Sequence, residues 1–524
     1  MTIRTPKISE LAEIARQFHL NLDSDDLESF RALIGVSLGS YLVVDDLTGS
    51  PVSTATNYPR TAGLRPLAAE NPLGAWYRRT SIRGLNEGPL SGKTVVIKDN
   101  TAVAGVPMMA GSRTLMGFVP DNDATVVTRL LDAGAEIIGK AVCEDLCFSG
   151  GSHTPATGPV RNPWDTTRSA GGSSGGCAAL VASGQVDLAL GGDQGGSTRI
   201  PASFCGVVGY KPTHGLVPYT GAFPIESTID HLGPICPTVG GVALMLSVIA
   251  GPDGLDPRQD KSTVPGDYLA ELDAGVEGLR IGVLTEGFGW PDLSDEGVDK
   301  LVRAASLRLG EIGAEVVEVS VPLHRQAIDI WNVISIEGAT TQMLNLNGGG
   351  MNYKGRYDPA MMAAFHAGRL AHANDLSETV KLVALMGQFL INEYGGTYYA
   401  KAQNLSPMLA AAYDAALVDV DVLVMPTLPI TARELPSADA PREEVVARAL
   451  EMIPNTCAFD VTGHPALSVP AGLVDGLPAG MMIVGRQFDD ATVLKVGSAF
   501  EKLVGGFPLA PPNAEGSEEK VAKR

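Results

Sequence analysis

An α/β fold, helices alternating with buried strands, is what this 524-residue sequence predicts, and three passages carry the prediction. Thr94 to Lys98 is β-branched and apolar up to its last residue, the composition of a strand buried on both faces. Asp123 to Ala133 places Val126, Val127, Leu130 and Leu131 on one helical face. Gly134 then ends the helix and Glu136-Ile137-Ile138-Gly139 begins a strand. The same order returns in Val302 to Gly313 followed by Glu315-Val316-Val317-Glu318-Val319. No true internal repeat underlies the similarity of these two passages.

In chain order, residues 1–80 are expected to form a helical cap or oligomer contact. Ile8, Leu11, Ile14 and Ala15, then Leu27, Phe30, Leu33 and Ile34, recur at helical spacing. Residues 51–75, rich in Pro, Thr and Asn, connect the cap to the main body, which is expected over 81–505. Within it, Gly251 to Pro265 is a loop closing the first half. Residues 322–410 read as a helical insertion over the site, and Val418 to Met425 and Ala466 to Val469 return the chain to the sheet. Residues 506–524 form a polar tail, frayed from Pro508 on.

Composition narrows the function. The chain is 45% hydrophobic with a mean hydropathy of +0.12, enough for a large core. A formal net charge of −20 and a pI near 4.8 argue against nucleic-acid partners, which need a basic footprint. No long Lys/Arg block suits an anionic membrane. The stretch read as most apolar, Val242 to Ile249, is far short of the ~20 residues that cross a bilayer. The start has no secretory pattern, and six sparse cysteines in mostly apolar sequence read as reduced thiols. A soluble cytoplasmic protein is expected.

The chemistry is concentrated in two glycine loops, Gly171-Gly172-Ser173-Ser174-Gly175-Gly176 and Gly191-Gly192-Asp193-Gln194-Gly195-Gly196-Ser197-Thr198-Arg199. A nucleophilic serine needs a base and donors for the oxyanion. In Gln194-Gly195-Gly196-Ser197, glycines let successive N–H groups turn toward one point. A tight turn or a phosphate loop are the alternatives there. No Gly-Lys-Ser/Thr follows, which excludes a Walker loop, and neither segment fits G-x-G-x-x-G in a strand–helix setting. Gly171 to Gly175 matches G-x-S-x-G, but Asn162 to Ala170 before it is a loop by composition, so an α/β-hydrolase elbow is weak. Read alone, Ser173 is better explained as an N-cap. Lys98 ends the buried strand; lysines are rarely buried unpaired, and loss of water favours the neutral amine that a serine needs as its base. A surface lysine or a pair with Asp99 are the alternatives.

Together these elements resemble the amidase signature family, whose enzymes use a lysine, a bridging serine in a cis peptide and a nucleophilic serine. The resemblance covers roughly residues 70–500. It runs through Ile200 to Thr213, Asp230-His231-Leu232-Gly233-Pro234-Ile235 and Gly463-His464-Pro465-Ala466-Leu467-Ser468-Val469-Pro470. The Asp193 to Ser197 form and the helical N-terminus look like bacterial enantioselective amidases found alongside nitrile hydratases. The resemblance implies a mixed sheet covered by helices and an amidohydrolase that needs no cofactor or metal. Its catalytic residues would be Lys98, Ser173 and Ser197, with an oxyanion hole at Gln194, Gly195, Gly196 and Ser197. Ser174 would help hold the network, while Asp193 and Arg199 brace the loop. Cys147 and Phe148 correspond to the family's acyl-pocket segment. A homodimer is implied, with the N-terminal helices at or near the contact.

Trp331 and Ile453 are further candidates for apolar pocket walls, with core packing as the alternative for each. Cys143 and Cys147 lack the second Cys/His pair that a zinc site needs. A Cys205 nucleophile with Glu144 and a lysine, as in nitrilases, lacks a supporting loop. The expected reaction takes a small-molecule carboxylic amide and water to acid and ammonia through a Ser197 acyl-enzyme. The alternatives are the glutaminase subunit of a tRNA-dependent amidotransferase, a hydrolase of carbamates, ureas or aryl acylamides, and a non-catalytic binding protein on the same scaffold.

Overall fold

The computed structural model describes residues 3–47 and 57–511. The chain divides into two compact units, Met1–Ala55 and Thr56–Arg524. In the smaller unit, α1 (Ile8–Gln17) and α2 (Ser24–Asp46) bury Ala15 and Leu27. Asp23 caps α2, accepting from the N–H groups of Asp25 and Asp26. Phe30, Leu33, Val36, Tyr41, Val43 and Val44 are exposed along α2.

The larger unit is built on one sheet of 11 strands. They are β1 (Trp76–Arg83), β2 (Thr94–Lys98), β3 (Glu136–Ala141), β4 (Leu188–Asp193), β5 (Val208–Lys211), β6 (His231–Cys236), β7 (Arg280–Leu284), β8 (Glu315–Val319), β9 (Val422–Pro426), β10 (Ala466–Val474) and β11 (Leu477–Val484). The spatial order is β1-β3-β2-β4-β6-β5-β10-β11-β9-β7-β8. β3, β2 and β4 are mutually parallel, as are β8, β7 and β9, and the remaining pairs are antiparallel. The sheet is therefore mixed.

Helices cover it. They are α3 (Thr125–Asp132), α4 (Gly175–Ala182), α5 (Arg199–Cys205), α6 (Val239–Ile249), α7 (Glu296–Arg308), α8 (Ala327–Ala339), α9 (Pro359–His372), α10 (Glu378–Tyr394), α11 (Thr397–Asp419), α12 (Arg442–Leu450), α13 (Ala458–Thr462) and α14 (Asp490–Leu503). Side chains alternate across the strands. Val96, Ala189 and Ile235 pack with α4, whereas Val95, Ile97, Leu188 and Leu190 pack with α3 and α6 in a separate apolar cluster. Each fully buried Val or Ile of β2 contributes roughly 1.5–3 kcal/mol of transfer free energy. This places β2 at the centre of the first half of the sheet and fixes the position of its last residue, Lys98.

The structure differs from expectation at several edges. β1 spans the expected boundary at residue 80, so the chain joins the sheet before residue 81. α3 starts at Thr125 because the Asp123 carboxylate is taken up by Arg60 and the Ala104 N–H. Residues 418–421 are not strand: α11 runs through Asp419, and β9 begins at Val422. The start of the second glycine loop, Gly191-Gly192-Asp193, is the end of β4. Val242 to Ile249 lies within α6 and is too short to cross a membrane, whereas α2, at 23 residues, is long and apolar enough by length and composition alone. Residues 51–56 of the expected connection and the tail from 512 lie outside the described residues. Before that tail, the Ala510 N–H donates to the Ala182 carbonyl.

Candidate active site

Parallel pairing of β2 and β4, with Ile97 opposite Leu190, brings their carboxyl ends to the same edge of the sheet. In open α/β sheets this is where ligands bind. Lys98 ends β2, and Gly191 to Arg199 leads out of β4. The segment opening α4 carries Ser173 into the same place, and the Gly172–Ser173 peptide bond is cis.

Lys98 and Ser173 are fully buried and meet at 2.7 Å, Nζ to Oγ. Lys98 Nζ also donates to the Gly192 carbonyl at 3.2 Å. Asp99 faces elsewhere. It lies 3.3 Å from Lys140 Nζ and accepts from the Met109 N–H, and burial pushes it up to about 6 despite Lys140. The surface-lysine and Asp99-pair alternatives for Lys98 therefore drop out. Ser173 is not the helix cap either, because Ser174 occupies that position before α4. The Ser174 hydroxyl bridges to the Gly192 carbonyl at 3.1 Å and N–H at 3.2 Å, tying the two glycine loops together. The Ser174 N–H donates to the Ser197 carbonyl at 3.2 Å, which sets Ser197 beside Ser173. No hydrogen bond joins the Ser173 and Ser197 hydroxyls among the described residues.

Around Ser197 the loop is held by charge. The Asp193 carboxylate accepts from the Gly196 N–H at 2.6 Å, the Thr198 N–H at 3.0 Å and both Nε and Nη2 of Arg199. Arg199 Nη2 reaches Asp460 at 2.8 Å, and Nη1 donates to the Thr456 carbonyl. All three charged groups are completely buried. Burial works against ionised carboxylates, yet the Arg199 guanidinium holds Asp193 well below the usual range. Asp460, desolvated and facing Asp193, is pushed well above it. One guanidinium supports one carboxylate, and the second keeps its proton.

Gly196 has φ of 125°, a left-handed conformation that favours glycine, and a Cβ there would sit 2.3 Å from Thr456 Oγ1. Its N–H points to Asp193 and is not free for a substrate, contrary to the expected four-donor hole. The N–H groups of Gln194, Gly195 and Ser197 have no acceptor among the described residues. Buried orphan donors are rare, and three within four residues can receive an incoming oxygen.

Ser197 opens into a cleft of about 390 Å³, open solvent at its mouth included, lined by Cys147, Phe148, Ile225, Ile229, Trp331 and Ile453 among others. All four sequence-derived pocket candidates, Cys147, Phe148, Trp331 and Ile453, lie on its wall. Leu146 and Cys147 have φ of 48° and 61°, uncommon for residues with side chains, and this turn directs the segment into the cleft. Ile225 and Ile229 were missed by sequence reasoning, as was Leu450 beside them. A larger cleft of about 730 Å³ around Tyr219, Asp256 and Arg258 contains none of Lys98, Ser173 and Ser197.

A family model described as Amidase matches residues 67–494. The chain belongs to the Amidase family. It is 53% identical over 517 residues to an enantioselective amidase of Rhodococcus rhodochrous, covering 98% of each chain. Among solved structures, one component of the Thermotoga maritima glutamyl-tRNA(Gln) amidotransferase superposes with a TM-score of 0.71 at 31% identity. That match covers 85% of this chain and 92% of the other. The peptide amidase of Stenotrophomonas maltophilia superposes with a TM-score of 0.67, also at 31% identity, covering 81% and 85%. As a member of the Amidase family the chain is an amide-hydrolysing enzyme.

Proposed function

We propose that this amide hydrolase works through an acyl-enzyme on Ser197, with Ser173 and Lys98 as its proton relay. The observation that carries the proposal is the buried 2.7 Å contact between Lys98 and Ser173. Lys98 has two hydrogen-bond partners and no carboxylate within ion-pair distance among the described residues. A buried ammonium left without a counter-ion is costly, so the setting suits an amine that gives one N–H to Gly192 and accepts from the Ser173 hydroxyl.

Ser197 Oγ attacks the amide carbon. Its proton passes to Ser173 Oγ, whose own proton passes to Lys98. The carbonyl oxygen, now negative, takes the orphan N–H groups of Gln194, Gly195 and Ser197. The relay then runs backwards to protonate the leaving nitrogen. Ammonia departs, and water repeats the sequence to release the acid.

The cleft selects the acyl group. No charged side chain lines it among the described residues, so it offers no counter-charge for the ammonium and carboxylate of glutamine. This favours aliphatic or aryl amides over the glutaminase role. Its lining of two aromatic side chains, Trp331 and Phe148, with branched Ile225 and Ile229 gives an asymmetric shape that supports discrimination between enantiomers, as the Rhodococcus relative is named for. We further place the protein in the cytoplasm, on its six unpaired cysteines, and as a homodimer whose contact covers the exposed apolar side chains of α2.

Ammonia release over a panel of propionamide, benzamide, racemic 2-phenylpropionamide and L-glutamine tests the proposal. Turnover of the apolar amides with little of glutamine is expected. Activity confined to glutamine would replace it with the amidotransferase role.

A further inference from the structure

Trp331 was expected as an apolar wall or as core, but its polar edge does something else. The indole N–H donates to the Gln194 carbonyl at 2.7 Å, from a side chain that is 6% exposed and carried on α8. The Gln194–Gly195 peptide bond is trans, so its carbonyl and its N–H point in opposite directions. Holding the carbonyl on the Trp331 side therefore turns the Gly195 N–H the other way, and that N–H is one of the three without an acceptor. Gly195 itself lacks the positive φ of its neighbour; what it supplies is space. A Cβ there would lie 2.6 Å from Trp331 Cζ2.

The neighbouring peptide plane shows the same device with different parts. The Gly195 carbonyl accepts from the Thr456 hydroxyl at 2.6 Å, and the Gly196 N–H on its far side goes to Asp193. That plane is pinned at both ends. The Gln194–Gly195 plane is pinned at the carbonyl alone, leaving its N–H for a ligand.

We propose that Trp331 is a positioning residue for the reaction, aiming the Gly195 N–H at the oxyanion by holding the Gln194 carbonyl. The inference rests on the Ser197 acyl-enzyme proposed above. A misaimed donor weakens stabilisation of the tetrahedral intermediate more than it weakens substrate binding, so the loss falls on kcat. A plain wall residue would instead change KM, and only for acyl groups large enough to touch it.

The test is Trp331→Phe, assayed on propionamide and benzamide and titrated with benzeneboronic acid, which forms a tetrahedral adduct on a nucleophilic serine. The expected outcome is a fall in kcat of roughly 10- to 100-fold on both amides, a fraction of what loss of a whole oxyanion donor brings. KM should stay within about twofold, and boronate affinity should weaken in step with kcat. If the variant loses its fold, replacing Trp331 with benzothienylalanine removes the N–H while keeping the ring volume, and the same result is expected. Unchanged kcat and boronate affinity, or a KM effect on benzamide alone, would overturn the inference. Failure of the underlying reading looks different: in that case Ser197→Ala retains turnover and boronate does not inhibit the wild type, and the inference falls with it.

Discussion

The two glycine loops meet at Gly192 yet are held by opposite kinds of interaction. Around Ser173 the ties are neutral: Ser174 to Gly192, the Ser169 hydroxyl to the Gly171 N–H, and the Glu144 N–H to the Ser173 carbonyl. The Glu144 side chain, whose Cγ packs against Gly172, accepts from the Thr154 hydroxyl, and burial pushes its carboxyl above the usual range. Around Ser197 the central tie is ionic, the buried Asp193–Arg199 pair, to which Asp460 adds a hydrogen bond accepted from Arg199. The difference follows the roles proposed for the loops. The first holds a serine against a lysine without bringing a carboxylate to them. The second, proposed to keep its donors fixed while negative charge develops beside them, is made rigid by a buried ion network.

The contrast can be broken from either side. The largest effect is expected in the first loop's relay. Lys98→Ala and Ser173→Ala should each lower kcat by about 10³-fold or more, and the double variant little further, because the two act as a unit. Steady-state ammonia release reads this; independent, additive losses would separate lysine from serine. Next comes the second loop. Asp193→Asn leaves Arg199 buried with an imperfect partner and should destabilise the fold by about 3–5 kcal/mol in urea unfolding.

Asp460→Asn should be far milder, since Asp460 already keeps its proton. The sign of its pH dependence follows from the raised value. Above the unfolded Asp value near 4, the unfolded chain releases a proton that the folded chain keeps, so wild-type stability falls with rising pH through this group. Asp460→Asn removes that dependence. Its melting temperature should therefore gain on the wild type as pH rises from 4, and a constant difference would contradict the assignment. The smallest effect belongs to the neutral ties: Ser174→Ala should cost about 1 kcal/mol of stability, measured by the same unfolding.

What was legible in the sequence was local. Lys98 at the end of an apolar strand and serines in glycine runs are visible within a few residues, and so are the helix of Val126 to Leu131 and the strand after Gly134. What was hidden depends on distant chain. Thr456 and Asp460 hold the Ser197 loop from more than 250 positions away, and nothing around them announces it. β1 was missed because it is an edge strand whose charged residues, Arg78, Arg79 and Arg83, blur the alternation. The end of α11 was misread because apolar Val418 looks like the start of a strand, although it is exposed on the helix.

In the proposed mechanism, chemistry and selectivity also come from different parts of this chain. Lys98, Ser173 and Ser197 hang from β2, α4 and β4, whereas Trp331, Leu450 and Ile453 come from helices and loops outside the sheet. Exchanging the segment from α8 to α12 for that of another family member, with Trp331 retained, would alter which acids the protein can make while leaving the means of making them in place. That division of labour gives the scaffold room to acquire new substrates without rebuilding its bond-breaking centre.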